Sequence, residues 1–130
     1  MYLCVSSKRR RLIMLNLFRK PTASPATDIV AQVAAGAVTL VDIREPSEIR
    51  ASGMAAGAIA IPLALLRLKA DPSSPDHDAR LSPDAPVALY CASGARSAMA
   101  SQTLRQLGYR DVTNLGGFSD WQRAGGAVTR

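Results

Sequence analysis

Apolar residues fall along this chain in short runs, and the spacing within the runs alternates between two periods. Val38–Ile43 is apolar at nearly every position, which predicts a strand buried on both faces, as in a parallel sheet. Val87-Ala88-Leu89-Tyr90, bounded by Pro86, predicts a second buried strand. Ala58–Ile61 and Asp111–Asn114 are shorter candidates. Between these runs the spacing lengthens to that of a helix. Ile29, Val30, Val33 and Ala34 mark one face of a helix capped by Ser24 or Thr27, reaching about Ala35 and closed by Gly36. Pro46 opens a short helix over Glu45–Ser52. A leucine-rich helix is expected over Pro62–Lys69. Ala100, Thr103, Leu104 and Leu107 place another over Ser97–Leu107, stopped by Gly108, and Phe118–Ala124 starts the last. Gly125-Gly126 reads as a flexible exit from it. Asp71–Pro86, with Pro72, Pro75, Pro83 and Pro86, has no period and reads as a surface loop.

Strands alternating with helices predict an α/β fold. The expected form is a three-layer α/β/α sandwich with a central, mostly parallel sheet of roughly four to five strands. A chain of 130 residues has room for one such domain. Residues 1–24 are expected to be a basic N-terminal extension and linker, and residues 25–130 the domain.

Charge changes the picture only in the extension. The net charge of +6 comes from Lys8, Arg9, Arg10, Arg11, Arg19 and Lys20, while the rest of the chain balances ten basic against ten acidic residues. A nucleic-acid function for the domain is therefore not supported. Leu12–Phe18 behind the basic run is a poor signal peptide and far too short to span a bilayer. The plainer expectation is a loosely docked extension, or a start at Met14. Contact of the tail with a membrane surface is the lesser expectation. Cys4 and Cys91 imply no disulfide framework, and a reducing cytoplasmic setting suits a free thiol.

The candidate chemistry sits at Cys91-Ala92-Ser93-Gly94-Ala95-Arg96-Ser97. A cysteine ends a buried strand, a loop of small residues follows, and a helix N-terminus faces back at it. Ligands bind at such strand ends in open α/β sheets. Short side chains let the loop curl around the sulfur, and Gly94 can adopt positive φ. Inward N–H groups would then form an anion-binding nest. Such surroundings lower a cysteine pKa from about 8.5 to roughly 3.5–7.5. Arg96 adds a fixed positive charge at the end of the loop. Asp42, near the end of the first strand, is either a turn former or a carboxylate that anchors the loop or pairs with a cation such as Arg96. Arg44 and Glu48 are four residues apart and could pair. Trp121 is expected in the core. His77, the lone histidine, has no second ligand candidate, so no metal site is expected.

The loop resembles the active-site loop of rhodanese-like sulfurtransferase domains. Val41-Asp42-Ile43-Arg44-Glu45-Pro46-Ser47-Glu48 resembles that family's first block, and Asn114-Leu115-Gly116-Gly117-Phe118 with Trp121 resembles its C-terminal block. The chain departs from the family in two places. Met54-Ala55-Ala56 stands where histidine, isoleucine and proline are usual, and Ala92 stands where the family often carries arginine or another polar residue. The resemblance implies that Cys91 is the nucleophile and carries sulfane sulfur as a persulfide. The backbone of Ala92, Ser93, Gly94, Ala95, Arg96 and Ser97 would cradle it, with Asp42 in support and no cofactor or metal. Related phosphatases on the same fold place five residues between cysteine and arginine; here Cys91 and Arg96 enclose four. Expected partners are small donors such as thiosulfate and thiol or cyanide acceptors, with a thioredoxin-like or other protein acceptor also in view. The expected state is a monomer or weak dimer. The alternatives are a non-catalytic sulfur-relay or regulatory module and, after it, a phosphatase or arsenate reductase on this fold.

Overall fold

The computed structural model of the protein describes residues 25–130. The expectations for the basic extension therefore lie outside the described residues. In chain order the elements are α1 (Pro25–Ala34), β1 (Thr39–Asp42), α2 (Pro46–Ser52), β2 (Met54–Ala55), β3 (Ile59–Ala60), α3 (Leu63–Ala70), β4 (Val87–Cys91), α4 (Ala95–Gln106), β5 (Val112–Gly117), α5 (Phe118–Arg123) and β6 (Val128–Thr129).

Four strands form the central sheet in the order β3-β1-β4-β5, and every pairing is parallel. Parallel pairing sends each connection back across a face of the sheet, so both faces are covered. The period of two sorts the side chains. Val41, Ile43, Val87, Leu89 and Cys91 face one way and pack with Leu66 and Ala70 of α3 and Ala100 and Leu104 of α4. Leu40, Ala88, Tyr90 and Leu115 face the other way, against Ile29 of α1 and Trp121 of α5. The result is the three-layer sandwich, with two cores divided by the sheet.

Three local features differ from the sequence expectation. The helix after Cys91 begins at Ala95 rather than Ser97, because Gly94 at φ +105° turns the chain straight into it. Gly126 is not a loose exit. A Cβ there would lie 2.1 Å from the Trp121 ring, so the bare backbone passes directly under the indole. Trp121 Nε1 also donates to the Ala127 carbonyl at 2.7 Å. Beyond that point β6 pairs antiparallel with β2, a ribbon too short for the apolar pattern to mark.

One irregularity positions the site. Leu89 pairs with Asn114 but Tyr90 pairs with Gly116, so Leu115 is an extra residue in β5. A bulge bends its strand and re-aims side chains beside it. Asn114, the residue before the bulge, reaches the loop that follows β4.

Candidate functional site

Cys91 ends β4 and has no exposed surface, whereas Ala92, Ser93 and Ala95 around it are exposed. The loop itself thus stands between the sulfur and solvent. Its amides turn inward: Gly94 N–H donates to Cys91 Sγ at 2.9 Å. Ser97, in the first turn of α4, places its Oγ 3.5 Å from the sulfur. Burial pushes the Cys91 thiol up, but the Ser97 hydroxyl and the N–H groups of Ser97, Gly94 and Ser93 outweigh it, and the thiol ends below its ordinary value. Local hydrogen bonds, rather than the arginine, dominate this favourable balance.

Arg96 is engaged elsewhere. Its Nη1 and Nη2 donate to Glu48 Oε1 and Oε2 at 2.8 and 2.9 Å. Glu48 Oε1 also accepts the Glu45 N–H at 2.9 Å, within the capping box that starts α2. Arg96 and this backbone contact hold the Glu48 carboxyl down at about 2. Arg96 therefore ties the loop to α2 with its charge matched.

Asp42 does not pair with Arg96, and Arg44 does not pair with Glu48. In the sheet Asp42 lies opposite Tyr90, so its side chain points to the face away from Cys91. There it accepts Arg44 Nε at 3.0 Å and Nη2 at 2.8 Å, and Tyr90 Oη–H at 2.5 Å. Arg44 completes its set with Ser52 Oγ and the Gly53 carbonyl, each at 2.8 Å, and its guanidinium lies 4.5 Å from the Phe118 ring centre. Tyr90 Oη accepts the Ala55 N–H at 2.9 Å, so Ala55, at one position where the sequence departs from the family, is held by backbone. This network fastens β1, β4 and the start of β2 beneath the site.

The C-terminal block closes the loop from the other side. A Cβ on Gly117 would lie 2.5 Å from the Ala92 carbonyl oxygen, so only glycine lets β5 pass this close. The Gly117 N–H donates to Asp120 Oδ2 at 2.7 Å. Asn114 Oδ1 lies 2.6 Å from Ser97 Oγ and accepts the Gly116 N–H at 3.0 Å, and its Nδ2 donates to the Gly94 carbonyl at 3.3 Å. Neither Glu48 nor Asn114 stands out as a site residue in the sequence. Both lie in the blocks that carry the resemblance.

The rhodanese-like domain family model matches residues 25–124, most of the chain. The chain belongs to the rhodanese-like domain family. A sulfurtransferase of Allochromatium vinosum is 43% identical to this rhodanese-like domain over 89 residues, which is 68% of this chain and 75% of that protein. Among solved structures, a Rhodopseudomonas palustris protein of unknown function, described as a possible tyrosine phosphatase, superposes with a TM-score of 0.72 at 36% identity. That match covers 80% of this chain and 81% of the other. The human single-domain sulfurtransferase superposes with a TM-score of 0.63 at 26% identity, over 74% of this chain and 90% of its own. A sulfurtransferase-type rhodanese-like domain is thus supported at the level of reaction class. No helix among the described residues is long and apolar enough to cross a membrane.

Proposed function

We propose that this rhodanese-like domain carries sulfane sulfur as a persulfide on Cys91 and passes it from a small donor to a thiol or cyanide acceptor. The observation that carries the reading is the inward Gly94 N–H, with the Ser97 hydroxyl beside it, on a thiol held below its ordinary pKa. The Cys91 thiolate attacks the outer sulfur of a donor such as thiosulfate. The donor S–S bond breaks, sulfite leaves with the electron pair, and Cys91 holds the persulfide. An acceptor thiolate or cyanide then attacks the outer sulfur, and the Cys91 thiolate departs unchanged. Splitting the transfer in two is covalent catalysis, and the ring of amides supports the anion between steps.

Among the described residues around the loop, Arg96 is spent on Glu48 and Ala92 is apolar. A donor anion therefore meets main-chain amides first, which leaves thiosulfate and a protein or small-molecule persulfide as equal candidates. The phosphatase description of one structural neighbour favours a second reading. The four residues enclosed by Cys91 and Arg96 make a smaller ring than the five of related phosphatases, so sulfur transfer is preferred. Intact-mass spectrometry after thiosulfate treatment tests both. The wild-type protein should gain about 32 Da, lose it to cyanide, and show no gain as Cys91→Ser. Turnover of an aryl phosphate without sulfur loading would establish the second reading instead.

A further inference from the structure

The Ser97 hydroxyl has one proton and four acceptors around it. Asn114 Oδ1 is at 2.6 Å, the Gly94 carbonyl at 3.1 Å, the Gly116 carbonyl at 3.4 Å and Cys91 Sγ at 3.5 Å. The orientation of the Asn114 amide is fixed independently. Its oxygen must face the Gly116 N–H, and its nitrogen must face the Gly94 carbonyl. The short contact to Ser97 is therefore oxygen to oxygen and needs a proton between the two atoms.

With Cys91 as a thiol that requirement is met. The S–H donates to Ser97 Oγ, and Ser97 O–H donates to Asn114. With Cys91 ionised the Ser97 proton is wanted at the sulfur, and turning it there leaves two oxygen lone pairs facing each other. Asn114 thus opposes the hydrogen bond from Ser97 to the thiolate. We propose that Asn114 is a positioning residue that sets the acidity of Cys91 through Ser97, by holding the hydroxyl's only proton until the thiol ionises. Such a restraint has a use. The nucleophilicity of a thiolate falls with its pKa, so the best attacking thiol titrates near the working pH rather than far below it.

Most charged groups near the loop are already matched; the exception is Glu45 at the start of α2, which is exposed, forms no ion pair among the described residues and acts on Arg96 through its charge. Arg96 is paired with Glu48 from α2, and Asp120 of α5 is paired with Arg123 and the Gly117 N–H. Asp42 and Arg44 are paired on the opposite face of β4. Asn114 is neutral and acts only through the direction of one proton.

The inference rests on Cys91 reacting as a thiolate, but its test needs no turnover. Thiolate absorbance in the ultraviolet, taken as the difference from the Cys91→Ser protein, gives the Cys91 titration and removes the contribution of Cys4. Asn114→Ala should lower the midpoint by roughly half a pH unit, and Asn114→Asp, a stronger acceptor, should raise it. In a Ser97→Ala background Asn114→Ala should leave the midpoint unmoved. A rise in both Asn114 variants would show a mere clamp on the loop and overturn the proposal, as would an equal Asn114→Ala shift with and without Ser97. If the alanine variant does not fold, Asn114→Asp with and without Ser97 decides: a larger rise with Ser97 present supports the proposal, and an equal shift, which the added charge alone would give, overturns it. A wild-type protein that titrates as stated but never loads sulfur refutes the transfer reading and leaves this one standing.

Discussion

Glu48 of α2 and Arg96 of α4 meet side by side, guanidinium to carboxylate, through two hydrogen bonds of 2.8 and 2.9 Å. The pair joins the loop that follows β4 to the helix that follows β1. It also explains why the loop arginine is not a free anion-binding charge. Bidentate geometry of this kind belongs to arginine, since a lysine ammonium is a point charge without the fork.

This pair carries an acid-stability prediction. The Glu48 carboxyl titrates at about 2 in the folded protein against an ordinary 4.5. A depressed carboxylate stabilises the fold above its ordinary pKa, and that contribution is lost as pH falls through the folded value. Wild type should therefore exceed Glu48→Gln in thermal stability at neutral pH, and the gap should shrink as pH drops from 4.5 towards about 2. The pair is partly exposed, so the neutral-pH gap should be no more than about 1 kcal/mol. A gap that is constant with pH would show that the carboxylate does not act through its charge.

The neighbouring network should behave differently. Asp42, Arg44 and Tyr90 are buried, and every polar contact on them is matched. Asp42→Ala leaves the Arg44 guanidinium buried without its carboxylate, which should cost about 3–5 kcal/mol. Tyr90→Phe removes the acceptor of the Ala55 N–H and should cost about 1–3 kcal/mol. Denaturant unfolding measures both. Because these side chains lie on the face away from the sulfur, the folded Tyr90→Phe protein should keep the Cys91 titration midpoint of the wild type. A shifted midpoint would place the network within the site after all.

These two charge arrangements also mark where the sequence could be read and where it could not. The parallel strands were legible because buried strands leave continuous apolar runs. The loop was legible because Cys91, Gly94, Arg96 and Ser97 are contiguous. The ion pairs were not. Arg44 and Glu48 sit four apart, but α2 begins only at Pro46, so Arg44 lies outside the helix and the four-residue spacing puts nothing face to face. Glu48 and Arg96 are 48 residues apart, and only the parallel register of β1 with β4 brings their loops to one edge. Asn114 lies within the C-terminal block, yet its reach depends on the bulge at Leu115, which no period reveals.

Gly117 offers a steric test of how closely the loop must be held. Alanine there would place a Cβ 2.5 Å from the Ala92 carbonyl oxygen and 3.3 Å from Ser93 Cα, both backbone atoms with little freedom. The loop must shift, at a cost of about 1–3 kcal/mol in stability. The larger effect should fall on the sulfur, since the inward amides of Ser93 and Gly94 move with the loop. Gly117→Ala should raise the Cys91 midpoint and slow sulfur loading at least tenfold, read by the approach to the mass gain. Loading at the wild-type rate in a folded Gly117→Ala protein would mean that the ring of amides is not needed.

Acidity and access pull in opposite directions at Cys91, and alkylation separates them. The thiol lies below its ordinary pKa, so the rate with a neutral reagent such as iodoacetamide should level off at lower pH than for an ordinary cysteine. The sulfur has no exposed surface, so the plateau should nevertheless be low, because each reaction waits for the loop to lift. A stabilised thiolate is also a weaker nucleophile, which lowers the plateau further. Following the Cys91 peptide by mass spectrometry keeps Cys4 out of the measurement. In denaturant, where the Gly94 and Ser97 contacts are gone, the midpoint should rise to that of an ordinary thiol and the plateau should climb. A native midpoint equal to the denatured one would mean that the loop does not stabilise the thiolate. A native plateau equal to the denatured one would mean that the loop does not cover the sulfur in solution.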